Sequence, residues 1–131
     1  ELAAIKECFE GLKQRVRPDI VFAHQREDLH QDHRIVGELT WNTFRDHLVL
    51  EYEIPKWDGG LGQPNVYVPL SARQARAKVD ALLETYRTQS RRDWFDRETF
   101  MALLRLRGLE CRAASGYAEA FHGRKVRIGV A

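Results

Sequence analysis

Three histidines and two aspartates, His24, Asp28, His30, Asp32 and His33, fall within ten residues of one another. Imidazole and carboxylate are the donors of hydrolytic zinc sites, which hold the ion with three protein groups and leave one position for water. The run His30-Gln31-Asp32-His33 lies at the mouth of an expected helix. It follows an apolar strand, Asp19-Ile20-Val21-Phe22-Ala23-His24, and a polar turn. Open α/β sheets build their sites beyond the C-terminal ends of their strands. On a helix, His30 and His33 point to roughly one side. The positive end of the helix dipole disfavours a protonated imidazole there, and the neutral ring is the form that binds metal. At least one of the two is therefore favoured as a ligand. The segment supplies one or two ligands, so the others have to come from elsewhere. The competing reading is a polar helix start with solvated histidines.

Other residues carry two readings each. His24, at the strand end, either touches substrate or a ligand's partner, or only hydrogen-bonds the turn that follows. Asp28 is read as the helix cap first and a site residue second. Arg26 either contacts an anionic or hydroxyl-rich substrate or is a solvated turn residue. Trp57, in a glycine-rich loop, either stacks on a sugar face or packs on the sheet. Glu51 and Glu53 look like a carboxylate pair, yet nothing in the sequence brings them near the histidines. Glu119, between apolar neighbours, suggests a specific hydrogen bond or ion pair.

The elements that must position these residues follow from periodicity. Leu2, Ile5, Phe9, Leu12 and Val16 predict an amphipathic helix over about residues 2–15, stopped by Pro18. The nearly continuous apolar run 20–24 predicts a strand buried on both faces of a parallel sheet. Asp28-Leu29-His30-Gln31 has the spacing of a capping box, opening a helix over about 31–46. Residues 47–54 alternate, predicting a strand whose Val49, Glu51 and Glu53 face is the wetter one. Residues 56–65 form a loop without a P-loop or dinucleotide-binding pattern, and 65–70 are extended. Ser71 and Gln74 cap a helix bearing Ala75, Val79, Leu82, Leu83 and Tyr86. A last helix spans about 96–107, with Asp96 as cap and Gly108 as stop. Residues 117–121 and 125–130 are expected to be extended.

Strand–helix alternation in the first half argues for an α/β fold. The opening helix starts in mid-pattern, the only methionine is Met101, and no strand precedes 20–24. A fragment lacking the first strands of its sheet is expected. Its bare sheet edge invites self-association or binding of the missing part. The chain has 131 residues, 44% of them hydrophobic and 31% charged, which bounds it to one domain of ordinary globular composition. A net charge of +2, without a basic stripe, gives no argument for nucleic acid. No apolar run is long enough for a membrane helix. Cys8 and Cys111 have no paired spacing, which fits a reducing, cytoplasmic location.

At His24 to His33 the chain resembles the N-acetylglucosaminyl-phosphatidylinositol de-N-acetylase family, also called LmbE-like proteins. The segment 19–24 followed by Asp28-x-His30-x-Asp32-His33 is similar to the family's second motif. Leu50-Glu51-Tyr52-Glu53-Ile54-Pro55-Lys56 and Tyr117-Ala118-Glu119-Ala120-Phe121 resemble further segments of its bacterial members. The likeness extends over nearly all of residues 1–131, as the C-terminal part of a single deacetylase domain. It implies a Rossmann-like sheet with flanking helices and zinc-dependent removal of N-acetyl groups from amino sugars. It implies His33 as a zinc ligand, His30 as acid or transition-state stabiliser, and Asp32 as an orienting, charge-balancing group. His24, Arg26, Asp28, Trp57 and Glu119 are expected around the substrate. The family's HPDD-type motif, with two further ligands and the general base, has no counterpart in this sequence. The chain alone is therefore expected to be incomplete and inactive. The alternative is a non-catalytic binding or assembly module, and a phosphoesterase is a weaker option.

Overall fold

The computed structural model describes residues 2–129. It divides into two compact units, one running to Glu53 and resuming at Phe121, the other spanning Ile54–Ala120.

The first unit opens with helix α1 (Leu2–Arg15), strand β1 (Ile20–His24), helix α2 (Gln31–Thr43) and strand β2 (Leu48–Tyr52). β1 and β2 are parallel, in register from Ile20 opposite Leu48 to His24 opposite Tyr52. Ala23, Phe44 and Val49 form the core, with Phe9, Val21 and Trp41 packed against it. Gly37 lets α2 approach the end of β1. A Cβ on it would lie 2.7 Å from the His24 carbonyl oxygen and 3.1 Å from that of Gln25. The helix thus rests on the backbone that carries the histidine and the turn behind it.

Three expectations change here. β1 is not buried on both faces, for Ile20 is 44% and Phe22 56% exposed. The cause is position: β1 ends the strand order and, among the described residues, has only β2 beside it. α1 forms as the spacing predicts, but Leu2, Ile5, Leu12 and Val16 of its apolar stripe stay exposed. The Val49–Glu51 face of β2, expected to be the wetter one, is fully buried at both residues.

The second unit contains strand β3 (Val66–Leu70), helix α3 (Ala72–Thr85), a 3₁₀ turn at Arg87–Gln89, helix α4 (Arg97–Glu110) and the start of strand β4 (Tyr117–His122). Its core is Ala75, Val79, Phe95, Phe100 and Leu104. The Ser71–Gln74 capping box forms as predicted, with both reciprocal bonds present. Asp96 caps α4 by accepting the Thr99 N–H at 2.7 Å. That bond holds its carboxyl below the usual carboxylate range. Gly108 does not stop α4, which continues to Glu110. Its missing side chain instead admits the Gly116 carbonyl, which a Cβ would strike.

β4 crosses the boundary between the units, and its last two residues pair antiparallel with β2, Phe121 opposite Tyr52 and His122 opposite Glu51. The result is an α/β chain with a four-stranded mixed sheet, ordered β1-β2-β4-β3, and flanking helices. Residues 125–129 form no regular element, and Val130 of the expected extended tail lies outside the described residues. No described helix is long and apolar enough to cross a membrane.

Candidate metal centre

β1 delivers His24 to the end of the sheet, and the turn 25–29 with the N-cap residue His30 leads into α2. The turn closes on itself where the Asp28 N–H donates to the Gln25 carbonyl at 3.2 Å. Asp28 and Gln25 are buried. The Asp28 carboxylate is held on both oxygens: Oδ1 accepts the His30 backbone N–H at 2.8 Å, and Oδ2 lies 3.2 Å from His33 Nδ1. Arg34, one turn into α2, donates to the Asp28 carbonyl at 3.2 Å.

The expected capping box is therefore not formed. His30 occupies the N-cap position without a side-chain cap bond, and Gln31 is the first helical residue. A box would need Gln31 at the third helical position. Asp28 sits two residues too early to cap, so its carboxylate is turned towards His33 instead.

His24 and His33 stack with ring centroids 4.1 Å apart and planes 7° from parallel. The exposed His30 ring lies 4.5 Å from His33, and Tyr52 flanks His24 at 5.0 Å. One ligand atom each of His24, Asp28 and His33 falls within 4.8 Å of the others. Two donors on a tetrahedral zinc stand about 3.3 Å apart, given metal–ligand distances near 2.0–2.1 Å. Asp28 Oδ2 and His33 Nδ1, 3.2 Å apart, already stand at that spacing. A parallel stack aims the ring lone pairs along separate planes, so one imidazole must turn about its soft terminal torsion. Asp28 can contribute in two ways. It can donate an oxygen directly, or it can accept the His33 Nδ1–H and leave Nε2 as the metal-facing nitrogen. The second is the common carboxylate–histidine–metal relay. In the first case two imidazoles and a carboxylate form a donor set that suits zinc; in the second, the two imidazoles remain and a third donor has to come from elsewhere.

The remaining candidates fall into two groups. Arg26 is exposed on the turn, and Asp32 is exposed in the first turn of α2. Trp57 and Glu119 belong to the second unit. Trp57 is 64% exposed and donates through Nε1 to Asp93 at 2.7 Å, with the Arg92 guanidinium 5.1 Å over its ring. Glu119 is ion-paired with Lys78, as its apolar neighbours suggested.

Sequence reasoning placed Glu51 on a wet strand face and passed over Arg124. Glu51 is fully buried, and its Oε1 accepts from Trp41 Nε1 and Arg124 Nε, each at 2.6 Å. Arg124 also reaches Glu27 at 3.2 Å. The Glu51 hydrogen bond holds the Arg124 guanidinium still more firmly protonated, against the opposing effect of burial. The available signal was a single acid inside the run Leu48-Val49-Leu50-Glu51-Tyr52. Alternation assigns such an acid to a wet face, whereas burial requires a partner that the sequence places 73 residues away.

No protein-family model matches this chain, and no curated protein matches it.

Proposed function

We propose that the chain is the metal-binding part of a zinc-dependent amide hydrolase, one that removes the N-acetyl group from an N-acetylglucosamine-type amino sugar or its conjugate. The observation that carries this is the convergence of His24, Asp28 and His33 beyond the end of β1. The resemblance of residues 19–33 to the de-N-acetylase motif supplies the reaction class. In this reading His33 holds the ion with His24 and Asp28. Bound zinc supplies a water that is acidic near neutrality and polarises the amide carbonyl. His30, exposed beside His33, passes a proton to the departing amine nitrogen. Asp32 orients and charge-balances the site from the first turn of α2. Arg26 binds sugar hydroxyls or an anionic substituent, and Trp57 and Glu119 are kept as substrate-side candidates. The general base is assigned to an HPDD-type segment that these 131 residues do not contain. The second reading is a non-catalytic binding or assembly module that retains part of the deacetylase fold. The bare edge of β1 further suits a second copy or a complementary segment.

Two measurements test this: zinc content per chain, and acetate release from N-acetylglucosamine conjugates. The proposal expects about one zinc per chain, lost in His33→Ala. In any preparation that hydrolyses substrate, His30→Ala should keep zinc while turnover falls by about 10²–10⁴-fold. Zinc without hydrolysis, even after an HPDD-bearing segment is supplied, favours the binding module. A chain that takes up no zinc refutes the reading of His24, Asp28 and His33 as a metal centre.

A further inference from the structure

We propose that Arg124 is a positioning residue, a guanidinium anchored on buried Glu51 that holds the turn 25–29 in place through Glu27. The inference builds on the reading of His24, Asp28 and His33 as a metal centre, because that turn carries Asp28.

A metal site works only if its donors are held to within about half an ångström of the productive geometry. The inner side of the turn is held by α2, where Gly37 backs onto the Gln25 carbonyl and Arg34 donates to the Asp28 carbonyl. Its other side presents Glu27, whose side chain is 80% exposed and which an exposed loop would leave to solvent. Arg124 meets it there at 3.2 Å. An exposed ion pair fixes little by itself, since both long side chains lose freedom in forming it. This pair differs in what stands behind it. Arg124 Nε is bound 2.6 Å from a carboxylate with no exposure at all, so one end of the bridge is immobile.

Glu51 supports the same conclusion. Its Oε1 takes both hydrogen bonds, while Oε2 is buried with no hydrogen-bond partner among the described residues. A buried carboxylate with an unused oxygen is costly. A glutamine would serve Trp41 equally well. What the charge adds is a charge-assisted grip on a guanidinium. The register explains why the grip reaches the turn: Glu51 stands opposite Ala23, the residue before His24, and opposite His122, two residues before Arg124. Lys125 donates to the Arg45 carbonyl, so the segment leaving β4 is tied on both sides of Arg124's backbone.

The test uses the full chain, with two readouts. Amide hydrogen exchange at Asp28 and His30 is measured without metal, and zinc affinity is measured by competition with a chromophoric chelator. Glu27→Gln changes an exposed residue and leaves the buried pair intact. Arg124→Lys keeps the charge for Glu51 but cannot bridge two carboxylates. The double variant Glu51→Gln/Arg124→Gln removes the bridge without stranding a buried charge. Each should speed exchange at Asp28 and His30 while leaving Leu39 to Thr43 of α2 at wild-type rates. Zinc affinity should fall about two- to five-fold for Glu27→Gln and about ten-fold or more for the Arg124 variants. Wild-type exchange at both amides in folded Glu27→Gln and Arg124→Lys overturns the inference, whatever zinc does. Faster exchange in a chain that never binds zinc upholds Arg124 as the clamp and removes the metal-centre reading instead.

Discussion

Asp28→Asn separates the fold of the turn from its chemistry. The substitution keeps Oδ1, which accepts the His30 N–H at 2.8 Å. It replaces Oδ2, 3.2 Å from His33 Nδ1, with an amide nitrogen that donates to that ring atom. Without metal the bonds to the His30 N–H and to His33 Nδ1 are both kept, so the stability of the variant should stay within about 1 kcal/mol of wild type. With metal the two proteins diverge. At free zinc buffered to 100 times Kd, binding stabilises the wild-type native state by about 2.7 kcal/mol. A chain of 131 residues melts with an entropy near 0.28 kcal/mol/K, at roughly 2.1 cal/mol/K per residue. The melting temperature should therefore rise by about 10 °C, and by more if the first unit melts alone. If Asp28 only orients His33, its loss weakens zinc about 10- to 100-fold, leaving a shift of roughly 5 to 1.5 °C at the same free zinc. If Asp28 is itself a ligand, the shift should vanish. Calorimetry in zinc buffers reads all of this. A full 10 °C shift in the variant would refute the assignment of Asp28 to the site. An unfolded variant would instead refute the hydrogen-bond argument, which predicts a folded one.

Three further outcomes are expected. Gly37→Ala sets a Cβ 2.7 Å from the His24 carbonyl oxygen. It should cost about 1–3 kcal/mol by overpacking and weaken zinc binding with it; an unchanged denaturation midpoint would contradict the close approach of α2 to β1. Phe22→Lys places a charge on the exposed face of edge strand β1. Sedimentation should show less self-association than wild type, and identical profiles would remove β1 from any interface. Asp96 has its carboxyl pulled below the usual range by the Thr99 N–H. Its contribution to stability is therefore complete above about pH 4 and lost as pH falls through the lowered value. Asp96→Asn should keep the cap while flattening the acid limb of the stability curve, and an unchanged limb would deny the shift.

Much of the fold was legible because local signals and tertiary context agree. The spacing of α1, the Ser71–Gln74 box and the apolar run of β1 each specify an element from a few residues. Where reading failed, the cause lay at a distance. A run such as 20–24 is compatible with a central or an edge strand. Only the strand order, which the run does not encode, leaves Ile20 and Phe22 exposed. Gly108 matches a helix stop in sequence, yet the approach of Gly116 explains it better and allows α4 to continue.

The residue types of the candidate site were legible in the sequence, and the reading of Asp28 as a helix cap is the one that the structure changes. The spacing of His30 and His33 on one helical side drew attention to that pair, but an N-cap residue lies outside the helical register. The structure leaves His30 exposed at the rim while His33 turns towards Asp28. Asp28 looked like a cap because caps and ligands are drawn from the same short acidic residues. Geometry distinguishes them, since a cap oxygen satisfies helix N–H groups, whereas Asp28 spends one oxygen on a turn amide and the other on an imidazole. The strand end and the turn place two of the three candidate donors, and the first turn of α2 places the third. Gly37 sets the distance between them by permitting backbone contact that no other residue allows. The parts of this arrangement that sequence cannot state are the two backbone approaches and the Glu51–Arg124 bond. These determine whether five residues of the right type form a centre or only a polar turn.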